Sequence, residues 1–207
     1  MTKKGIKKKN FSSFKLADAF KQLNLTDLQP WDLEFDPIEP SAFLQERLYR
    51  MRCFDLQSYE ESKKLLIDAL CEEALQSFES LRMWKGGKLE GEITSGYVDY
   101  LLAERRRYLE APMLCVVEAK KDDFEQGLAQ CLVEMQACQW SNEQIKKQID
   151  VHGIVTNGQG WSFYKLDLSG QVYETETYAI ARMSDVLGLL HKVFALCDRA
   201  VQPKTPL

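Results

Sequence analysis

Apolar positions along this chain change period several times, and the changes mark out its elements. Ile67, Leu70, Cys71, Ala74, Phe78 and Leu81 recur at helical spacing, and Ser58 with Glu61 three residues on has the form of a capping box, so a helix is expected from about 58 to 81. Shorter helices are expected over "FSSFKLADAFKQLNL" and about 41–52. "WKGGKLEGE" then interrupts with three glycines. Apolar runs near 93–103, 112–119, 151–156 and 161–168, with a β-rich segment near 171–180, read as strands. Between the second and third runs lies a helix from Asp123 to Gln139 with a buried stripe of Leu128, Cys131, Leu132, Met135 and Cys138. An amphipathic helix closes the pattern at about 183–201. Strands with a helix inserted among them imply a mixed α/β sheet flanked by helices.

Composition fits one globular core: the 207 residues are 45% hydrophobic. No apolar run approaches the roughly 18 residues that cross a bilayer. "MTKKGIKKKN" is charged like the start of a signal peptide, but no apolar stretch follows it. A cytoplasmic protein without membrane contact is therefore the expectation. The six cysteines form no CxxC pair and read as reduced core residues. Two histidines, His152 and His191, make a histidine-built metal site a poor expectation.

The net charge of −4 is unevenly spread. Residues 1–21 hold seven lysines against one acid, which leaves the remainder acidic. Three segments follow: a basic, partly disordered arm and Pro-rich link over 1–40, a folded domain over 41–201, and a flexible tail over 202–207.

The chemistry gathers where the second apolar run ends, in "VVEAKKDDFEQGLAQ". Residues i and i+2 of a strand share a face, so Glu118 and Lys120 project together. "ITSGYVDYLL" carries an acid, Asp99, where a core residue is expected. A hairpin of 93–103 with 112–120 brings Asp99 toward Glu118. Two carboxylates held together repel each other unless a cation sits between them, and hard oxygen ligands favour magnesium or manganese. A lysine beside the ion suits phosphodiester hydrolysis. As a bare tripeptide, Glu-Ala-Lys is equally an ordinary solvated strand end.

Asp99 followed by Glu118-Ala119-Lys120 resembles the PD-(D/E)XK nuclease superfamily. The likeness runs on through "GLAQCLVEM" and through "GIVTNGQGWSFYKLD", which is similar to a segment in the nuclease domain of type I restriction enzyme motor subunits. It covers about 58–168. The proline of the family's name is absent, since Val98 precedes Asp99. The resemblance implies a restriction-endonuclease-like α/β fold, Asp99 and Glu118 as metal carboxylates, the Ala119 carbonyl as a further ligand, and Lys120 as the catalytic lysine. Gln130 would steady the lysine or a phosphate. Glu60 or Glu61 would supply a first-helix acid, Glu60 being preferred because it lies seven residues before Ile67. DNA is the implied substrate, gripped in part by Arg105, Arg106 and Arg107 between the acid-bearing strands, and a homodimer would suit cutting of both strands. A non-catalytic DNA-binding or partner-binding relative is the first rival. A small-molecule α/β enzyme is weaker, because the chain has no Gly-rich phosphate loop and no Ser/Cys–His nucleophile pattern.

Overall fold

The computed structural model describes residues 8–56, 58–120 and 123–202. The stretches 1–7 and 203–207 of the expected arm and tail lie outside the described residues. The chain opens with β1 (Lys9–Asn10), a 3-10 turn over Phe11–Ser13, and α1 (Leu16–Leu23). β2 (Gln29–Pro30), α2 (Ala42–Met51) and α3 (Glu60–Leu75) follow. Next come β3 (Leu81–Lys85), β4 (Lys88–Glu90), β5 (Thr94–Tyr97), β6 (Tyr100–Glu104) and β7 (Met113–Ala119). α4 (Phe124–Gln144) precedes β8 (Val151–Thr156) and β9 (Gly160–Leu166). β10 (Val172–Glu174), β11 (Tyr178–Ala179) and α5 (Met183–Val201) complete the order.

The main sheet is mixed, in the order β2-β10-β9-β8-β7-β6-β3, with β11 on β9. β3, β6 and β7 form an antiparallel meander, while β7 and β8 run parallel. A parallel pair needs a long crossover, and α4 supplies it. Helices cover both faces of the centre, so all seven residues of β7 are buried and its apolar run hardly alternates. Cys115, Val117 and Ala119 pack with residues of α3 and α5, whereas Val116 packs with residues of α1 and α4. The two-residue repeat therefore turns Glu118 toward α4.

Four expectations about the elements need correction. Leu81 does not end α3 but opens β3, an edge strand hidden by the helical spacing of its first residue. The Ser58–Glu61 capping box does not form: Tyr59 occupies the N-cap position, and Ser58 N–H donates to Asp55 Oδ1 at 3.2 Å. The single strand expected over 93–103 is broken, with β5 joining β1 and β4 in a small sheet and β6 joining the main one. Asp99 lies at this break. Its carbonyl accepts Gly86 N–H at 3.0 Å, while Val98 N–H bonds Gly87 O. The fourth is the arm and link, which over residues 8–40 are packed. β1 pairs with β5, β2 pairs with β10, and Phe11, Phe14, Ala19 and Leu33 are buried.

The expected hairpin and last helix are present: β6 and β7 form the first, and α5 spans the residues expected of the second. α4 starts after Asp123, whose Oδ1 accepts Gln126 N–H at 2.9 Å, and runs on to Gln144. All six cysteines are free thiols and five are buried as expected, but Cys53, just beyond α2, is exposed and not a core residue. Among the described residues no helix is long and apolar enough to cross a membrane.

Candidate functional site

Four elements deliver side chains to the carboxyl end of β7. The β6–β7 register pairs Tyr100 with Val117, so one step before β6 the chain brings Asp99 alongside Glu118 and Ala119. There Asp99 Oδ2 accepts the Ala119 N–H at 3.0 Å. Lys120 follows β7, its own N–H donating to Thr156 O at 2.9 Å beyond the end of the β7–β8 ladder. Lys120 Nζ stands 2.5 Å from Glu118 Oε1 and donates to Gln130 Oε1 at 3.2 Å.

Gln130 ties the cluster to α4. Its Nε2 donates to Glu118 Oε2 and to Glu134 Oε1, both at 3.0 Å. One amide thus bridges two buried carboxyl groups while its oxygen receives the lysine. Glu118 is 1% exposed and Glu134 is fully buried, so each is far from water. Glu118 Oε1 and Glu134 Oε2 accept no well-formed hydrogen bond, although Lys120 stands beside the first.

These surroundings set the proton affinities. Burial, then the nearby charge of Asp99, pushes the Glu118 carboxyl up to about 8, against the opposing pull of Lys120. Glu134 is raised well above the usual range by burial and then by Glu118. Burial would lower Lys120, but the Glu118 carboxylate outweighs it and holds the ammonium above its ordinary value.

α3 adds the first-helix groups. Glu60 and Glu61 both lie in its first turn, where carboxylates favour the helix dipole. Their surroundings differ. Glu60 is half-buried and its charge acts on Glu118 and Lys120, whereas the Glu61 side chain is 83% exposed and acts on Lys64. Lys64, one turn on, pairs with Asp99 Oδ1 at 2.9 Å. Lys64 and Glu134 are the two members of the cluster absent from the sequence reading. An acid inside the Cys131–Met135–Cys138 stripe was the available sign of Glu134.

Arg105, Arg106 and Arg107 are not beside this cluster. They follow β6 while Asp99 precedes it, a separation of about 20 Å of extended chain. Arg106 pairs with Glu104 at 3.1 Å and Glu110 at 3.2 Å, and all three arginines are exposed.

Among the described residues no three Asp, Glu, His or Cys side chains converge as a ready-made metal-binding group. Asp99 and Glu118 carry oxygens of the type a hard divalent ion takes, but Lys64 and the Ala119 N–H occupy those of Asp99, and Lys120 and Gln130 those of Glu118. An ion bound there would have to displace Lys64 from Asp99 or Lys120 from Glu118. Compared with known proteins, the chain matches no family model and no curated sequence.

Proposed function

We propose that this chain is a metal-dependent nuclease that hydrolyses DNA phosphodiester bonds at the carboxyl end of β7. The observation that carries the reading is Glu118, a buried carboxylate set beside Asp99 and within ion-pair distance of Lys120. Ionising Glu118 there costs stability that Lys120 only partly offsets, which favours a chemical role over an architectural one. Asp99, Glu118 and the Ala119 carbonyl would hold magnesium or manganese. When bound, the ion would polarise a phosphoryl oxygen and acidify a water. Lys120 would neutralise charge developing on the scissile phosphate. Gln130 fixes Lys120 and Glu118 relative to each other, and Glu60 adds negative charge from α3. Arg105, Arg106 and Arg107 would meet the duplex farther along, and a homodimer would present one site to each strand. The resemblance to the PD-(D/E)XK superfamily supports the same roles. A cytoplasmic setting belongs to this proposal.

Incubation with plasmid and oligonucleotide DNA tests it. Cleavage should require magnesium or manganese and fall about a hundredfold or more in Lys120→Ala and Glu118→Ala. Activity in chelator, or activity surviving both substitutions, overturns the assignment.

Lys64 favours a second reading. Its ammonium already lies 2.9 Å from Asp99, supplying positive charge where the ion would sit. In a non-catalytic DNA-binding or partner-binding protein, that lysine would replace the metal. DNA binding without cleavage under any metal condition selects this reading.

A further inference from the structure

A cavity of about 540 Å³ lies between the α5 face of the sheet and the chain following β2. Its lining includes Trp31, Asp150, His152, Lys165, Lys192 and Arg199. His152 and Lys165 are cross-strand partners of β8 and β9. Lys192 and Arg199 lie two turns apart on one face of α5. The volume falls within the roughly 300–1,000 Å³ usual for small-molecule sites.

This cavity is separate from the Glu118 cluster. His152 pairs with Cys115, three residues before Glu118 in β7, and packs toward Cys197 of α5 with Nδ1 3.6 Å from its Sγ. Glu118 points to the opposite face, toward α4. Neither site borrows a residue from the other.

Three cations face one carboxylate here, Asp150. Among the described residues, Lys165, Lys192 and Arg199 make no ion pair. Lys165 lies instead 5.6 Å from the Trp31 ring centroid and 4.2 Å from that of Tyr173. In a chain of net charge −4, unpaired cations gathered about one hollow create a local positive potential. The arginine fork suits a phosphate in particular.

Part of the wall is aromatic. Trp31 stacks over His152 at 5.9 Å between centroids and 27° between planes. Burial, then the charge of Lys165, brings the His152 imidazole down to about 4, so it stands neutral near pH 7. Leu33, Leu168 and Leu196 give the remaining surface an apolar character.

We propose that this cavity binds a nucleoside monophosphate, its base against Trp31 and its phosphate among Lys165, Lys192 and Arg199. Indole is a favourable stacking surface for any base, and the cations supply the charge-assisted hydrogen bonds a phosphate takes. The site does not depend on nuclease activity.

Calorimetric titration of the full chain with adenosine 5′-monophosphate, inorganic phosphate and adenosine tests the assignment. Saturable binding of the nucleotide is expected, about tenfold or more tighter than either half alone. Lys192→Ala/Arg199→Ala and Trp31→Ala should each weaken it about tenfold. Glu118→Gln should leave it unchanged. In the wild type, rising salt should weaken binding, a readout that needs no variant. No saturable heat at millimolar nucleotide, equal affinity for phosphate or adenosine, salt-independent binding, or loss on Glu118→Gln would each overturn the proposal.

Discussion

Lys64 Nζ stands 2.9 Å from Asp99 Oδ1, so the carboxylate that precedes β6 already faces a cation supplied by α3. The same ammonium meets Glu61 at 2.7 Å and Glu60 at 3.6 Å. Burial lowers its proton affinity, but hydrogen bonds to Glu61 and Asp99 outweigh burial and keep it charged. A divalent ion drawn to Asp99 must compete with this lysine.

Lys64→Met therefore has opposite effects in chelator and in manganese. Without metal, Asp99 loses its partner while still facing Glu118, and stability should fall by about 1–3 kcal/mol. With manganese the rise in melting temperature should exceed that of the wild type, since the competitor is gone. Thermal melts under both conditions decide it. A metal response identical to wild type removes Asp99 from the ligand set.

The Glu118 carboxyl gives stability a pH signature. Its folded value is raised to about 8, above the ordinary carboxylate value, so between the two the native state holds a proton that the unfolded chain has lost. Its share of stability is full at low pH and falls as pH rises toward 8. His152, lowered to about 4, works the other way: stability is lost as pH falls below its ordinary value of 6.5. The clean window is therefore about pH 6.5 to 8. Denaturant unfolding across it should show stability declining with pH, and Glu118→Gln should flatten the decline, leaving the share of Glu134. A wild-type slope of zero, or an unchanged slope in the variant, shows that Glu118 does not hold its proton in the folded protein.

Much of this arrangement is legible in the sequence because burial on both faces leaves a plain mark. The run from Met113 to Val117 could only be a central strand or a buried helix segment, and the acid at its end then stands out. α5 is legible through its period. Lys64 is not, because a lysine on a helix reads as solvated until the neighbouring strand places Asp99 beside it. β1 and β2 have two residues each and no period at all. Their positions depend on pairing partners more than 80 residues away. The lysine content of the first segment likewise hides two phenylalanines that anchor it.

Phe11 tests that anchoring. Its ring is 1% exposed and packs in one cluster with Phe14, Ala19 and residues of α4. Phe11→Ala should cost about 3–5 kcal/mol, the scale of a fully buried aromatic. A solvated arm would lose nothing measurable. Denaturant melts of the variant distinguish the two, and an unchanged midpoint places the segment outside the core.

Gly127 sets how closely α4 approaches the lysine that follows β7. A Cβ there would stand 2.7 Å from Val155 Cγ1 and 3.0 Å from Lys120 Cγ. Helix propensity alone favours alanine by up to about 1 kcal/mol, but overpacking costs about 1–3 kcal/mol. Val155 is β-branched and stiff, so the clash should win and Gly127→Ala should destabilise. Part of that loss passes through Lys120, whose displacement leaves Glu118 with weaker positive charge. The variant should therefore steepen the decline of stability between about pH 6.5 and 8. In a Lys120→Ala background the Cγ contact is gone, and the cost of Gly127→Ala should shrink by about 0.5 kcal/mol or more. Additive losses in this double-mutant cycle, with no change in the pH slope, would mean that Gly127 meets only Val155 and leaves the lysine undisturbed.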